Sequence, residues 1–486
     1  MTKIVTHIRK NGGILSGDLS RIMSKKYGIT EEAARKRIER FKSPIHKLKG
    51  IFSDKKSFIY HSDDYQTEEY YDGLLAAIMS DAKRIGAIIT AIKFHHGLVN
   101  MKELANYSIS PISRIDGHMK FDTLIELLLK NDFVRKYDDE TLGLNALLGG
   151  KHNPNLSHIK AIELSKAIVL QRFEIWSKNI GLTSFKKGKN NNVVGGFQFA
   201  FSAPTYIDGL TRYKGNVKNP GFLIADILLG NDTNEETVSF FLRKIAAIKA
   251  SNPVLDLFPV IIVDGIKTKA LNKLKSNGVL IASIRELFGN EYSELLKSLI
   301  NIVTNAGAIL KKDPEQYINL MEKLTKLVDG KTNNLRGDLF ELAVGYYYSK
   351  YCRNLDISKR VTLQETNQSK EIDVLAVFEN EVKIVECKGY NYPVDIDYIE
   401  DYISNKIVII RKWAMNVYPE KSLTFEIWST GGFTEAAEKK LANAKVKTKK
   451  YGIEYFNKQK ILEKANGINS PKFKEILRDY FLKEIA

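Results

Sequence analysis

Apolar positions recur at helical spacing over residues 3–11, 16–27 and 30–42, and Gly12-Gly13 and Tyr27-Gly28 separate the three segments. Each opens at a residue able to cap it: Thr2, Ser16, and Thr30, the last followed by Glu31 and Glu32, where a helix dipole favours acid. In the third segment Ala34, Ile38 and Phe41 share one stripe, while Arg35, Lys36 and Arg40 lie off it. Residues 45–60 then alternate like a β-hairpin around Ser53-Asp54-Lys55-Lys56. A less charged version of this plan is expected over residues 66–150, with helices at 81–94, 101–107 and 121–131 and a small hairpin opening at Phe133. Gly149-Gly150-Lys151-His152-Asn153-Pro154-Asn155 reads as a linker.

The last third of the chain has a different rhythm. The segment from Leu335 to Tyr346 is helical in pattern and apolar almost all round, which predicts a buried helix with Glu341 inside it. A buried carboxylate costs free energy unless it has a partner. Residues 371–378 read as a strand, Glu379-Asn380 as a turn, and 381–389 as the returning strand. With those two turn residues, paired positions sum to 759, so Asp373 falls opposite Glu386. Their Cα atoms would be about 4.5–5.5 Å apart. Lys388, two residues on, points to the same face. Two opposed carboxylates repel unless a cation lies between them, and oxygen donors at this separation suit Mg²⁺ or Mn²⁺. Glu-x-Lys also occurs at Glu381-Val-Lys383, at a hairpin mouth, and at Glu438-Lys-Lys440, in a helix without an aspartate partner. Only Glu386-Cys-Lys388 joins an apolar strand, an opposed aspartate and an upstream Gly-x-x-Phe-Glu helix.

Residues 155–290 carry echoes of this plan. Phe173-Glu174 answers Phe340-Glu341, Tyr206-Ile207-Asp208 answers Glu371-Ile372-Asp373, Ala225-Asp226 answers Val385-Glu386, and Arg243-Lys244 answers Asn405-Lys406. Leu228 stands where Lys388 would, so this copy is expected to be catalytically dead. Residues 291–330, with Leu, Ile and Lys at helical spacing, read as connecting helices.

At 486 residues the chain is long enough for three or four domains. A hydrophobic fraction of 44% with 27% charged residues describes an ordinary globular protein. No apolar run approaches the ~18 residues of a membrane span, and the N-terminus lacks an apolar signal core, so no membrane partner is expected. Two cysteines, Cys352 and Cys387, are too few for a disulfide framework or a zinc cluster; a reducing cytoplasm is the expected location. The formal charge of +17 is unevenly placed: residues 1–60 hold 15 Lys or Arg against 5 Asp or Glu, a net of +10. A basic block within amphipathic sequence is the footprint of a polyanion binder.

Three helices followed by a basic hairpin resemble a winged helix-turn-helix over residues 1–65, with a second winged-helix-like domain over 66–150. That resemblance implies nucleic-acid contacts through Arg35, Lys36 and Arg40 on the third helix and Lys55 and Lys56 on the wing. Residues 331–486 resemble the PD-(D/E)xK, or restriction-endonuclease-like, nuclease superfamily, nearest its Mrr-type and Holliday-junction-resolvase-like members. The motif departs from the superfamily's name in having Ile372, not proline, before the aspartate. The expected fold is therefore multidomain α+β and α/β: winged-helix modules, a degenerate nuclease-like domain (155–290), a helical connector (291–330) and one PD-(D/E)xK domain. The resemblance implies a Mg²⁺-dependent DNA endonuclease, with Asp373, Glu386 and Glu341 as metal ligands. Lys388 would orient or activate water and stabilise phosphoryl charge. One site cuts one strand, so double-strand cleavage takes a homodimer or two successive nicks. Restriction or antiviral defence is the expected setting by analogy with the fold's usual employment. An RNA nuclease, a recombination or transposition nuclease, and a DNA-binding regulator that uses the fold as scaffold are the alternatives.

Overall fold

The computed structural model describes residues 2–137, 140–150, 155–327, 333–363, 365–366 and 368–483. The chain is mixed α+β, with several separate sheets. Among the described residues no helix is long and apolar enough to cross a membrane. Contacts divide the chain into two compact units, Met1–Pro154 with Ser177–Ala282, and Asn155–Trp176 with Ser283–Ala486.

The first unit begins with helices Thr2–Lys10, Ser16–Tyr27 and Glu31–Glu39, whose apolar faces supply Ile4, Ile8, Leu19, Met23, Ala34 and Ile38 to one small core. Thr30 caps the third helix by accepting the Ala33 N–H. A three-stranded sheet closes the group, with Phe58–His61 between Ile14–Leu15 and Ile45–Leu48. The hairpin is shorter than its alternation predicts: pairing stops at Leu48 with Phe58. Ile51 and Phe52 leave the ladder because both are buried in the larger core of this unit.

Helices Glu68–Asp81 and Lys83–Phe94 follow. The first was absent from the expected elements, although Thr67 caps it and Tyr70, Tyr71, Leu74, Ala77 and Ile78 form its buried face. Gly12 touches it so closely that a Cβ there would lie 1.7 Å from the Glu69 carbonyl oxygen. Short helix Met101–Leu104, helix Phe121–Lys130 and a sheet of Leu98–Asn100, Thr141–Leu144 and Val134–Lys136 complete this region.

The two large sheets share one plan. In the first unit the order is Leu280–Ser283, Leu257–Val263, Gly221–Leu228, Phe197–Thr205, Lys189–Val194; in the second it is Gly452–Phe456, Ser422–Ser429, Glu381–Lys388, Ser369–Val377, Asn354–Thr362. In each, the central strand is parallel to one neighbour and antiparallel to the other, and the next strand outward is again antiparallel. The division of contacts falls between Pro154 and Asn155, but residues 155–290, expected as one domain, are split between the two units. Helix Leu156–Asn179 buries residues on most of its sides between Ile159 and Phe173, and through Trp176 it belongs with the second unit. There the Tyr292 hydroxyl donates to the Ile168 carbonyl (3.3 Å) and His158 Nδ1 lies 3.1 Å from Thr304 Oγ1. Phe173 and Glu174 are thus outside the unit that holds the first sheet.

Candidate functional site

The hairpin of the second sheet has the register expected from its turn: Val377–Val382, Ala376–Lys383, Leu375–Ile384 and Val374–Val385 are partners. The Phe378 N–H donates to the Glu381 carbonyl (2.8 Å), which leaves Glu379 and Asn380 as the two turn residues. Regular pairing ends one step before Asp373 and Glu386. Instead the Asp373 carboxylate accepts the Cys387 backbone N–H through Oδ2 at 2.7 Å. On the other side of Asp373 the ladder also skips a step, from Ile357–Val374 to Lys359–Ile372. The residue passed over, Ser358, has a left-handed backbone with φ 55°. Such a conformation is sparsely populated by non-glycine residues and costs of order 1–3 kcal/mol. The sheet thus opens at the row that carries the acid.

Helix Asn333–Ser349 delivers Glu341 to this opening. Its close approach depends on Gly389, immediately after Lys388, where a Cβ would lie 2.8 Å from the Arg336 carbonyl oxygen and 2.9 Å from Phe340 Cβ. Glu341, Asp373 and Glu386 are all buried. One carboxylate oxygen from each of Glu341, Glu371 and Asp373 lies within 4.8 Å of the others. Glu371 is two residues before Asp373 on the same strand, so strand parity puts both on one face. This trio differs from the expected one: Glu371 joins it, while Glu386 is held by cations.

The cations around the site come from three elements. Lys388 Nζ lies 2.9 Å from Glu386 Oε1, and Lys406 pairs with Glu386 Oε2 while standing 4.0 Å from Asp373 Oδ1. Lys406 ends a π-helical turn, Tyr402–Lys406, inside the helical run 396–417; single π turns of this sort often mark functional positions. The Tyr398 hydroxyl, from the same run, donates to Glu386. Lys160, on helix Leu156–Asn179, donates to Glu341 Oε2 at 2.7 Å and to Glu371 Oε1 at 2.9 Å. Ser358 Oγ also donates to Glu341 Oε2, at 3.2 Å.

The protonation preferences follow from this placement. Burial, reinforced by the Glu386 charge, pushes Asp373 up to about 6. Glu386 is equally buried, but Lys406 and Lys388 outweigh that and draw it down to about 2. Burial raises Glu341 well above the usual carboxylate range against the pull of Lys160. Lys388 is held above its ordinary value because Glu386 and Asp373 outweigh its desolvation, so it is an ammonium at neutral pH. Hard carboxylate oxygens converging in a buried site form a donor set that fits a small divalent cation.

The structure thus brings Glu341, Asp373, Glu386 and Lys388 together. Glu371 was legible from its parity with Asp373. Lys406 lies on the helical run after the hairpin, but nothing in its spacing pointed at Glu386. Lys160, 181 residues before Glu341, carried no signal at all. Of the basic residues near the N-terminus, Arg35, Lys36 and Arg40 are exposed; Arg35 and Lys36 make pairs with Glu31 (3.4 Å) and Glu32 (2.9 Å) one turn earlier. Lys55 is exposed at the loop tip. Lys56 differs from the expectation of a phosphate-contacting residue: it is tied to Asp81, which also accepts from the Ser53 backbone and side chain.

The first sheet holds an altered version of the same row. Asp226 and Glu386 occupy matching places, each partnered on its parallel side by an isoleucine, Ile261 and Ile427. One step beyond the Ala225–Phe201 pair, the residue facing Asp226 is Ala200, whose N–H donates to Asp226 Oδ1 (2.9 Å). Asp208, expected to match Asp373, instead lies in an exposed turn after the strand ends at Thr205. Lys244 is completely buried; it pairs with Asp226 and donates to the Asn106 (2.6 Å) and Gln198 (2.7 Å) carbonyls. No protein-family model matches this chain, and neither does any curated protein.

Proposed function

We propose that the second unit is a metal-dependent phosphodiesterase acting on DNA, of the PD-(D/E)xK kind, and that the sheet of the first unit is an inactive relative of it. The observation that carries this reading is the row formed by Asp373, Glu386 and Lys388, with Glu341 and Glu371 converging on it in a buried opening of the sheet. Glu341, Glu371 and Asp373 would hold the cation, with Glu386 beside them. When bound, a divalent cation supplies Lewis-acid charge and lowers the pKa of water.

The protein's own groups do the rest. Lys388 is charged, so its part is to donate hydrogen bonds to the attacking water or a phosphoryl oxygen and to offset developing negative charge, rather than to accept a proton. Lys406 holds Glu386 ionised and in place, and Tyr398 supports the same carboxylate. The exposed basic face of helix Glu31–Glu39 would engage phosphates, as in the winged helix-turn-helix proteins that residues 1–65 resemble. Its two ion pairs within the helix are surface pairs of small net value, which phosphate contacts can replace. Each site cuts one strand, so a double-strand break takes two copies or two visits.

The test is cleavage of plasmid, linear duplex and RNA by the protein and by Lys388→Ala, with Mg²⁺ or with EDTA. The expected result is Mg²⁺-dependent DNA cutting that falls at least about a hundredfold in the variant, the usual scale for loss of a charge-stabilising donor. Cutting that persists without Lys388 overturns the site, and cutting of RNA alone overturns the substrate.

A further inference from the structure

Lys160 is remote from the motif yet makes direct polar contacts with two of the three clustered carboxylates. We infer that Lys160 is the resident counter-ion of the metal-free site, and that a divalent cation binds in competition with its ammonium. The inference rests on the metal-site reading above and extends it to how the site is regulated.

The geometry leads there in three steps. Glu341, Glu371, Asp373 and Glu386 lie within one opening, and Lys388 and Lys406 are engaged with Glu386. Lys406 also stands 4.0 Å from Asp373 and, with Arg360, acts on Glu371, but Lys160 is the cation that draws on Glu341, which would otherwise meet Asp373, Asp338 and Glu371 in a buried space, an arrangement that burial makes costly. Next, Lys160 takes Glu341 Oε2 and Glu371 Oε1, oxygens that a cation bound by the same residues would need. A small divalent ion binds oxygen at about 2.0–2.1 Å and repels an ammonium sharing those atoms. Finally, Lys160 can leave. Its side chain is 23% exposed, and its helix is anchored independently by His158 against Thr304 (3.1 Å) and by Ser157 Oγ on the Ile357 carbonyl (3.4 Å). The ammonium can therefore swing outward on its flexible stem while the helix stays docked.

The experiment uses the full chain, without nucleic acid, and Mn²⁺ as the probe. Mn²⁺ affinity is measured by titration calorimetry or electron paramagnetic resonance for wild type, Lys160→Met, Lys160→Gln and Lys160→Arg, alongside thermal midpoints in EDTA and in saturating Mn²⁺. Competition predicts that Met and Gln bind Mn²⁺ about fivefold or more tightly than wild type. They should also melt lower in EDTA and recover that loss when Mn²⁺ is added. Arg, which keeps the charge, should stay near wild type in EDTA and bind Mn²⁺ no better. A merely structural ion pair would lower the EDTA midpoint without tightening Mn²⁺ binding, and unchanged or weaker binding in both Met and Gln overturns the proposal. Absence of Mn²⁺ binding in every form overturns the metal site itself and this inference with it; equal binding in every form overturns the role of Lys160 alone. If Met does not fold, Gln carries the same comparison.

Discussion

Replacing Asp373 by Asn should stabilise the metal-free protein while abolishing cleavage. The carboxyl is raised to about 6 from an ordinary 3.8, because burial and the facing Glu386 charge together outweigh Lys406, Lys388 and Lys160. The sign follows from which state binds protons more readily. With the folded value above the unfolded one, ionisation of Asp373 costs stability as pH rises from about 4, and the full cost is reached above about 6. A difference of about two units corresponds to about 3 kcal/mol at pH 7.5. The same linkage gives about half of that at pH 5 and a few tenths at pH 4. Asn carries no charge and can still accept the Cys387 N–H through its amide oxygen, so the variant should recover much of that cost. In a unit of roughly 200 residues this amounts to a rise of about 6–12 °C in melting midpoint. The assay is thermal or urea unfolding in EDTA at pH 7.5, 5 and 4. A variant less stable than wild type at pH 7.5, or a gain that does not shrink toward pH 4, would refute the reasoning.

Two other substitutions test the remaining assignments. Lys244→Met should destabilise the first unit by about 3–5 kcal/mol, because it removes the lysine that pairs with a buried carboxylate, whereas the double variant Asp226→Leu with Lys244→Met should recover most of that loss in urea unfolding and keep the wild-type cleavage rate. A cleavage defect in a well-folded double variant would contradict the inactive reading of that sheet. Reversing Arg35, Lys36 and Arg40 to Glu should weaken DNA binding and reduce the slope of log affinity against log salt by about three, as measured by fluorescence anisotropy from 50 to 200 mM salt. Lys56→Glu should instead act on stability through Asp81, leaving that slope close to wild type.

What could be read from sequence was local and periodic. Strand parity and a two-residue turn were enough to place Val374 opposite Val385, and hence Asp373 near Glu386. The stripe of Ala34 and Ile38 was legible for the same kind of reason. Sequence misleads where a conspicuous residue has no strand register to place it. Asp208 resembles Asp373 in its tripeptide, but the strand has already ended at Thr205, and the residue facing Asp226 is Ala200. Helix Leu156–Asn179 shows the other limit. Half of its residues are polar or charged and its apolar ones form no single stripe, so its pattern does not declare which core it serves, and Lys160 could not be assigned to a site 181 residues away.

The two matching rows weigh differently in stability. In the first sheet one acid meets one lysine, both wholly buried, and backbone carbonyls and an N–H complete their hydrogen bonding. In the second sheet four carboxylates, Glu341, Glu371, Asp373 and Glu386, meet three lysines, 160, 388 and 406, beside a serine held in a left-handed conformation. Asp373 and Glu341 are both pushed toward protonation by their burial. Burial of charged acid and a left-handed residue in the same row both cost folding free energy. Such costs persist where a site serves a purpose other than stability, and the surplus here is of negative charge facing lysines. A cation binding among Glu341, Glu371 and Asp373 would relieve that surplus. The stabilisation expected of Asp373→Asn and the tighter Mn²⁺ binding expected of Lys160→Met are thus two measurements of one imbalance, made from its acidic and its basic side.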